Sequence, residues 1–234
     1  MELKGHVSYQ GDGLSISTRA MLTQLSILNV HTENIAHFGM PGYQRKEPIV
    51  TSFVEFLGPQ AVDQVTSTEI GRLRKSGQPL DLALNTKGYF QKLNAMGGIE
   101  LTRDGRFSID KDGYLRALDG KHIASSSGQP LQLSVIPQDL EKHMRVSPAG
   151  EVQVYDTRLG ELVAVDRIGV VSETGSVADD IDIKQGYVED SNVMLQQEFV
   201  GMVPLRRMME ANRQMFLLQS DGLSRMIQEL GRTS

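Results

Sequence analysis

The stretch from Leu195 to Leu230, LQQEFVGMVPLRRMMEANRQMFLLQSDGLSRMIQEL, decides the fold class. Alternate steps of four and three along it meet Leu195, Phe199, Met202, Arg206, Met209, Arg213, Phe216, Ser220, Leu223, Ile227 and Leu230, and eight of these eleven are apolar. That spacing lines them up on one face of an α-helix. A helix this long without internal caps needs a partner of similar length. Pro204 is expected to bend it or to restrict its start, because proline lacks an N–H and its ring collides with the preceding turn. Gly222 is a second weak point.

The partner lies at the other end of the chain. Leu14, Thr18, Met21, Leu25, Leu28, Thr32 and Ile35 repeat the same spacing, and five of the seven are apolar. Asp12 or Ser15 is predicted to cap this helix near Leu14, since a short oxygen side chain accepts from free backbone N–H groups. Gly39, Met40, Pro41 and Gly42 stop it. The two stripes are expected to pair in a coiled-coil-like manner. Met208 and Met215 lie off the C-terminal stripe, which predicts burial of that helix among several others. Its charges balance, Arg206, Arg207, Arg213 and Arg225 against Glu198, Glu210, Asp221 and Glu229, which suits pairing between helices.

Between the helices the pattern changes from period 3.6 to period 2. Leu80–Leu84, Arg106–Asp110 and Glu151–Tyr155 alternate, and Asp104-Gly105, Asp112-Gly113 and Asp119-Gly120 read as tight turns,. The expected fold is therefore α+β: paired terminal helices with a central antiparallel β domain. The expected segments are 1–42, the first helix; 43–75, an extended connector; 76–183, the β domain; and 184–234, the second helix.

The chain has 234 residues, a net charge of -5 and no Cys. Disulfides, thiolate nucleophiles and Cys-ligated metals are thereby excluded. The acidic balance predicts no nucleic-acid partner. Apolar runs such as Leu162–Val165 are far below the ~20 residues of a membrane-spanning helix. The start, Met1-Glu2-Leu3-Lys4-Gly5-His6, has no apolar stretch of a cleaved signal peptide,.

Catalysis needs convergent polar groups, and the sequence offers no motif that supplies them. His31 and His37 are six apart and face different sides of a helix. Ser108-x-Asp110-x-Asp112-Gly113, with Asp119 at the twelfth place, resembles part of a calcium loop. It lacks the first carboxylate and the final Glu, so a hairpin is predicted instead. Asp179-Asp180-Ile181-Asp182 reads as a solvated acidic loop. No catalytic, cofactor-binding or metal site is expected.

Several blocks resemble the axial proteins of the bacterial flagellum, and most of all the basal-body rod proteins of the FlgF/FlgG type. They are Asn34-Ile35-Ala36 with Pro41-Gly42-Tyr43; Gly77–Leu84 with Gly88-Tyr89-Phe90; Leu101–Phe107 with Asp110 and Gly113-Tyr114-Leu115; and Gln185-Gly186-Tyr187-Val188-Glu189-Asp190-Ser191-Asn192-Val193. Glu33 and His37 stand where that family usually has Asn. The resemblance implies a structural, self-assembling rod subunit, with a proximal-rod FlgF-like member favoured and a distal-rod FlgG-like or hook-like subunit as the alternative. A soluble binding module is the alternative from another class. The resemblance further implies partnership with its own copies and with other rod and hook proteins, export through the flagellar type III apparatus without a cleaved signal, a place in the basal body across the periplasm, torque transmission, and enclosure of the export channel. The expected assembly face is Leu14, Met21, Leu25, Leu28, Ile35, Leu195, Phe199, Met202, Met209, Phe216, Leu223, Ile227 and Leu230.

Overall fold

A computed structural model of the chain describes residues 8–50, 62–94, 96–133, 143–156, 160–178 and 180–232. The Met1–His6 start, the side chain of Asp12 and Asp179 lie outside them. Two long helices, α1 (Ser8–Ala36) and α2 (Leu195–Arg232), bracket a series of short strands. These are β1 (Lys46–Val50), β2 (Val62–Thr66), β3 (Leu73–Lys75), β4 (Leu82–Leu84), β5 (Tyr89–Leu93), β6 (Ile99–Thr102), β7 (Phe107–Ile109), β8 (Leu115–Ala117) and β9 (His122–Ile123). They continue as β10 (Met144–Val146), β11 (Glu151–Asp156), β12 (Glu161–Arg167), β13 (Val170–Val171), β14 (Ile183–Gln185) and β15 (Tyr187–Glu189). All the paired strands run antiparallel. The class is α+β, with terminal helices and a central antiparallel β region.

The described residues fall into two compact units. One combines α1, the Arg45–Ser67 segment and the chain from Val193 onward; the other combines His37–Gln44 with Thr68–Asn192.

In the helical unit α1 and α2 lie antiparallel. His31 meets Gly201 and Gly13 meets Gln219. The same separation of 18 residues on both helices is five helical turns, so both contacts lie on one seam,. Two expectations need correction here. The helix begins at Ser8, several residues before the predicted cap, and runs through Asp12 and Ser15. α2 also continues unbroken through Pro204, an exposed residue in its third turn. Within 43–75, β1 and β2 pair from Lys46↔Thr66 to Val50↔Val62 as a ladder packed on α1. The sequence showed only a weak pattern there because this ladder is mostly exposed.

The β unit is built round Leu82, Leu84, Phe90, Leu115, Ile123, Leu131, Val152 and Ile168, all essentially removed from water. Phe90 and Phe107 meet edge to face at 5.2 Å, a favoured aromatic geometry. One sheet has the order β13-β5-β9-β8-β7 with β6 on β5, and another is β10-β11-β12. Val152 and Val154 on β11 face inward as the alternation predicts. On β4 it fails: Leu82, Ala83 and Leu84 are all buried, because β14 covers one edge and the Gly105 backbone closes on Leu82.

Asp112-Gly113 and Asp119-Gly120 make the β7–β8 and β8–β9 turns, with φ of 85° and 82° at the glycines. Asp104-Gly105 does not turn a hairpin. Gly105 instead presses against β4, receiving the Leu82 N–H at 2.9 Å, and a Cβ there would stand 1.6 Å from the Leu82 oxygen. Glycine is required at this point for close backbone approach.

Candidate assembly surface and the motif residues

Polar motif residues close two buried knots, one inside each unit. In the β unit the last motif block runs through β14, a turn at Gly186 (φ 77°) and β15. β14 pairs with β4 and β15 with β3, so the block stitches together two segments a hundred residues upstream. Val188 is buried. Glu189 carries the knot. Its Oε2 receives Arg103 Nε at 2.7 Å and its Oε1 receives the Gly71 N–H at 2.9 Å. The rest of the Arg103 guanidinium donates to the carbonyls of Leu84, Thr86 and Gly88. Burial pushes the Glu189 carboxyl above its usual value, and the Arg103 charge and Gly71 N–H pull it only part of the way back.

Gly42 donates to the Glu189 carbonyl at 2.8 Å and Asn192 donates its N–H to the Tyr43 carbonyl. The Asn192 side chain reaches the Glu69 carbonyl at 2.8 Å. His37 stacks on Tyr43 with ring centroids 4.7 Å apart. Tyr187 and Ser191 are half-buried. Gly42-Tyr43, Arg103 and Glu189–Asn192, distant in sequence, thus meet within the β unit.

The knot of the helical unit is centred on Glu198, which is fully buried in the first turn of α2. Its Oε2 takes His31 Nδ1 at 2.6 Å and Asn34 Nδ2 at 3.2 Å; its Oε1 takes Arg45 Nε at 2.5 Å. Asn34 also holds Lys46 by both backbone groups, at 2.8 and 2.9 Å. Lys46 pairs with Glu33 at 2.5 Å. Val193, just before α2, is buried beside this start. Burial of Glu198 favours the neutral acid, but its three donors outweigh that and hold its carboxyl below the usual value,. Sequence reading took Glu198 for one of the balanced charges that suit pairing between helices, and Asn34 for a motif letter. A carboxylate at the head of an apolar stripe was the signal available.

The stripes themselves sit differently from the seam. On α2 the half-buried line is Leu195, Met202, Met209, Phe216 and Leu223, with Glu198 and Leu205 buried between them. Phe199, Ile227 and Leu230 of the expected face are more than half exposed. On α1 the buried residues are Ser17, Thr23, Gln24, Val30, His31 and Asn34. Leu14, Met21, Leu28 and Ile35 are half-buried beside them, and Leu25 is exposed. The contact line of α1 therefore runs one residue ahead of its apolar stripe. Outside the seam, α2 exposes Val200, Val203, Met208, Met215, Leu217, Leu218 and Met226 as well. Its charges pair along the helix, Arg213 with Glu210 and Arg225 with Asp221.

Elsewhere polar side chains close turns and form ion pairs. Asp110 Oδ1 accepts the N–H groups of Asp112 and Tyr114, which closes the β7–β8 turn. Asp119 pairs with Lys92 at 2.7 Å. A cleft of about 500 Å³ in the β unit has Arg167 and Asp180 as its ionisable lining residues. Among the described residues no helix is long and apolar enough to cross a membrane.

Residues 83–154, from β4 through β11, match the family model of the flagellar hook protein FlgE/F/G D1 domain. The flagellar basal-body rod protein FlgF of Rhizobium meliloti is 27% identical over 94% of this chain and 98% of its own length. The rod protein FlgG of Buchnera aphidicola from Schizaphis graminum is 25% identical over 85% of this chain and 92% of its own. FlgG of Bacillus subtilis is 27% identical over 71% of this chain and 70% of its own. The likeness to flagellar rod proteins thus extends from the β domain to most of the chain.

Proposed function

We propose that this chain, a relative of the flagellar basal-body rod proteins, is a structural subunit of the rod, with no catalytic activity of its own. The observation that carries this reading is α2. It is 38 residues long and buries only Glu198 and Leu205, while ten of its large apolar side chains are exposed. So many exposed apolar side chains along one helix favour burial by partners, and each such side chain gains about 1.5–3 kcal/mol when covered. Neighbouring helices of a polymer provide that cover. The assembly face consists of Leu14, Met21, Leu25, Leu28 and Ile35 on α1, with Leu195, Phe199, Met202, Met209, Phe216, Leu223, Ile227 and Leu230 on α2. The partners are further copies of the chain and other axial proteins of the rod and hook.

Within the rod we favour a proximal, FlgF-like place, supported by the nearly end-to-end match to an FlgF protein. The subunit reaches the basal body through the flagellar type III export apparatus without a cleaved signal, and transmits torque across the periplasm around the export channel. The domain division 1–42, 43–75, 76–183 and 184–234 is part of this reading, with the β domain as the segment that folds alone.

Swimming of a strain lacking the gene tests the function. Loss of motility, restored by the intact chain, supports it; a strain that swims normally contradicts it. Rescue of strains lacking either FlgF or FlgG separates the proximal from the distal place.

A further inference from the structure

We infer that the ring of His31, seated over Gly201 and tied to Glu198, is the key that sets the rotation of α1 against α2. Hydrophobicity does not explain the rotation observed. The buried seam of α1 holds Ser17, Gln24, His31 and Asn34, and the Thr23 Oγ1 and Gln24 Oε1 atoms in it have no hydrogen-bond partner. One residue further on, a turn of about 100° round the axis, lies the more apolar line of Leu14, Met21, Leu25, Leu28 and Ile35, with Leu25 exposed. Apolar burial alone would turn that line inward.

The contacts at one end of the pair oppose this. An added Cβ at Gly201 would stand 2.7 Å from His31 Cε1 and 3.1 Å from Nε2, so only glycine admits the ring. His31 Nδ1 is fixed to Glu198 at 2.6 Å, and Asn34 and Arg45 also donate to that carboxylate. Turning α1 would strip a fully buried carboxylate of His31 and Asn34 together, a heavy penalty. A glycine within a helix weakens it, and the notch gives Gly201 its reason. The second contact, Gly13 with the Gln219 side chain, is softer, since the end of a glutamine swings aside. The rotation held by the key keeps the apolar line at the flank of the pair instead of inside it. This inference goes beyond the rod reading and is tested on the free chain, so each stands or falls separately.

The sequence contains no Cys, so a single thiol reports on each face. In the parent background Leu25→Cys should react faster with a maleimide than Gln24→Cys. The key is removed by His31→Leu with Glu198→Leu, and separately by Gly201→Ala. Each should reverse that order, with position 24 becoming the faster. Gly222→Ala, whose Cβ would meet nothing within 4 Å, should keep the parent order. Unchanged order in both key variants would overturn the inference. So would equal, fast labelling at both positions, because the knot would then be a clamp that holds the pair together and not the feature that orients it.

Discussion

Arg103 Nε lies 2.7 Å from Glu189 Oε2, with both side chains no more than 2% exposed. The pair joins the loop after β6 to the end of β15, and the remaining guanidinium donors cap the carbonyls of Leu84, at the end of β4, and of Thr86 and Gly88 after it. Removing one member leaves a buried charge unpaired, which costs about 3–5 kcal/mol. Arg103→Met should therefore lower the stability of the β unit by about that amount. Glu189→Gln keeps the shape but only one of the two acceptor oxygens, and should cost less than Arg103→Met because that oxygen still receives one donor. Adding Glu189→Met to Arg103→Met should recover part of the loss, since no charge is left buried. Urea unfolding of the three variants, followed by near-ultraviolet circular dichroism, measures the order.

Glu198 makes the helical unit acid-sensitive. Its folded pKa is held below the ordinary carboxylate value. Its contribution is thus complete above the unfolded value of about 4.3 and is lost as pH falls through the folded value. The titratable and charged groups around it are His31 on α1 and Arg45 before β1, with Lys46, Glu33 and Glu47 nearby. Glu189 has the opposite sign. Its folded pKa is raised, so its contribution is complete below the unfolded value and declines as pH rises through the folded one. Below pH about 4, helical signal should therefore fall. Glu198→Gln should remove this acid step and lower helix stability at neutral pH by about 1–3 kcal/mol. An unchanged acid profile in that variant would show that another group titrates.

Gly105→Ala should prevent the β unit from folding, because its methyl would overlap the Leu82 carbonyl oxygen and that oxygen belongs to backbone. Gly39→Ala, with nothing within 4 Å of its Cβ, should leave stability within about 0.5 kcal/mol of the parent. Thermal unfolding of the pair reads the difference directly.

Asp110 serves the turn rather than a cation. Asp110→Ala should lower the melting temperature because the Asp112 and Tyr114 N–H groups lose their acceptor. Added calcium should move neither parent nor variant. A calcium-dependent rise in the parent that disappears in the variant would restore the ion-binding reading.

What was legible in the sequence follows the strength of each physical signal. Long helices announce themselves through repeated apolar spacing, and Asp-Gly turns through the positive φ they require, so the class and two hairpins could be read. Asp104-Gly105 misled because the same dipeptide also serves close backbone approach. The α1 seam was invisible for a related reason: periodicity selects the most apolar line, whereas contact uses the adjacent small and polar one, Ser17, Gln24, His31 and Asn34. Pairings such as Arg103 with Glu189 span 86 residues and follow from tertiary closure, which local pattern does not encode. The motif blocks told that Asn34, Gly42 and Glu189 matter; only the fold shows that Gly42 donates to the Glu189 carbonyl while Asn34 holds Lys46 and Glu198.

The central claim is that exposed apolar side chains on α2 are covered by neighbouring subunits in the rod. Phe199 and Ile227 test it most directly, because both are exposed in the isolated chain, so their replacement leaves its own seam intact. Burying a carboxylate in their place costs more than the lost apolar contact, itself about 1.5–3 kcal/mol per subunit. The measurement is the amount of Phe199→Asp, Ile227→Asp and the control Gln228→Asp in basal bodies isolated from cells that make each variant at parental levels. The account predicts the control at parental abundance and both apolar-site variants absent, with their β-unit melting unchanged. Basal bodies carrying either apolar-site variant at the parental amount would contradict it.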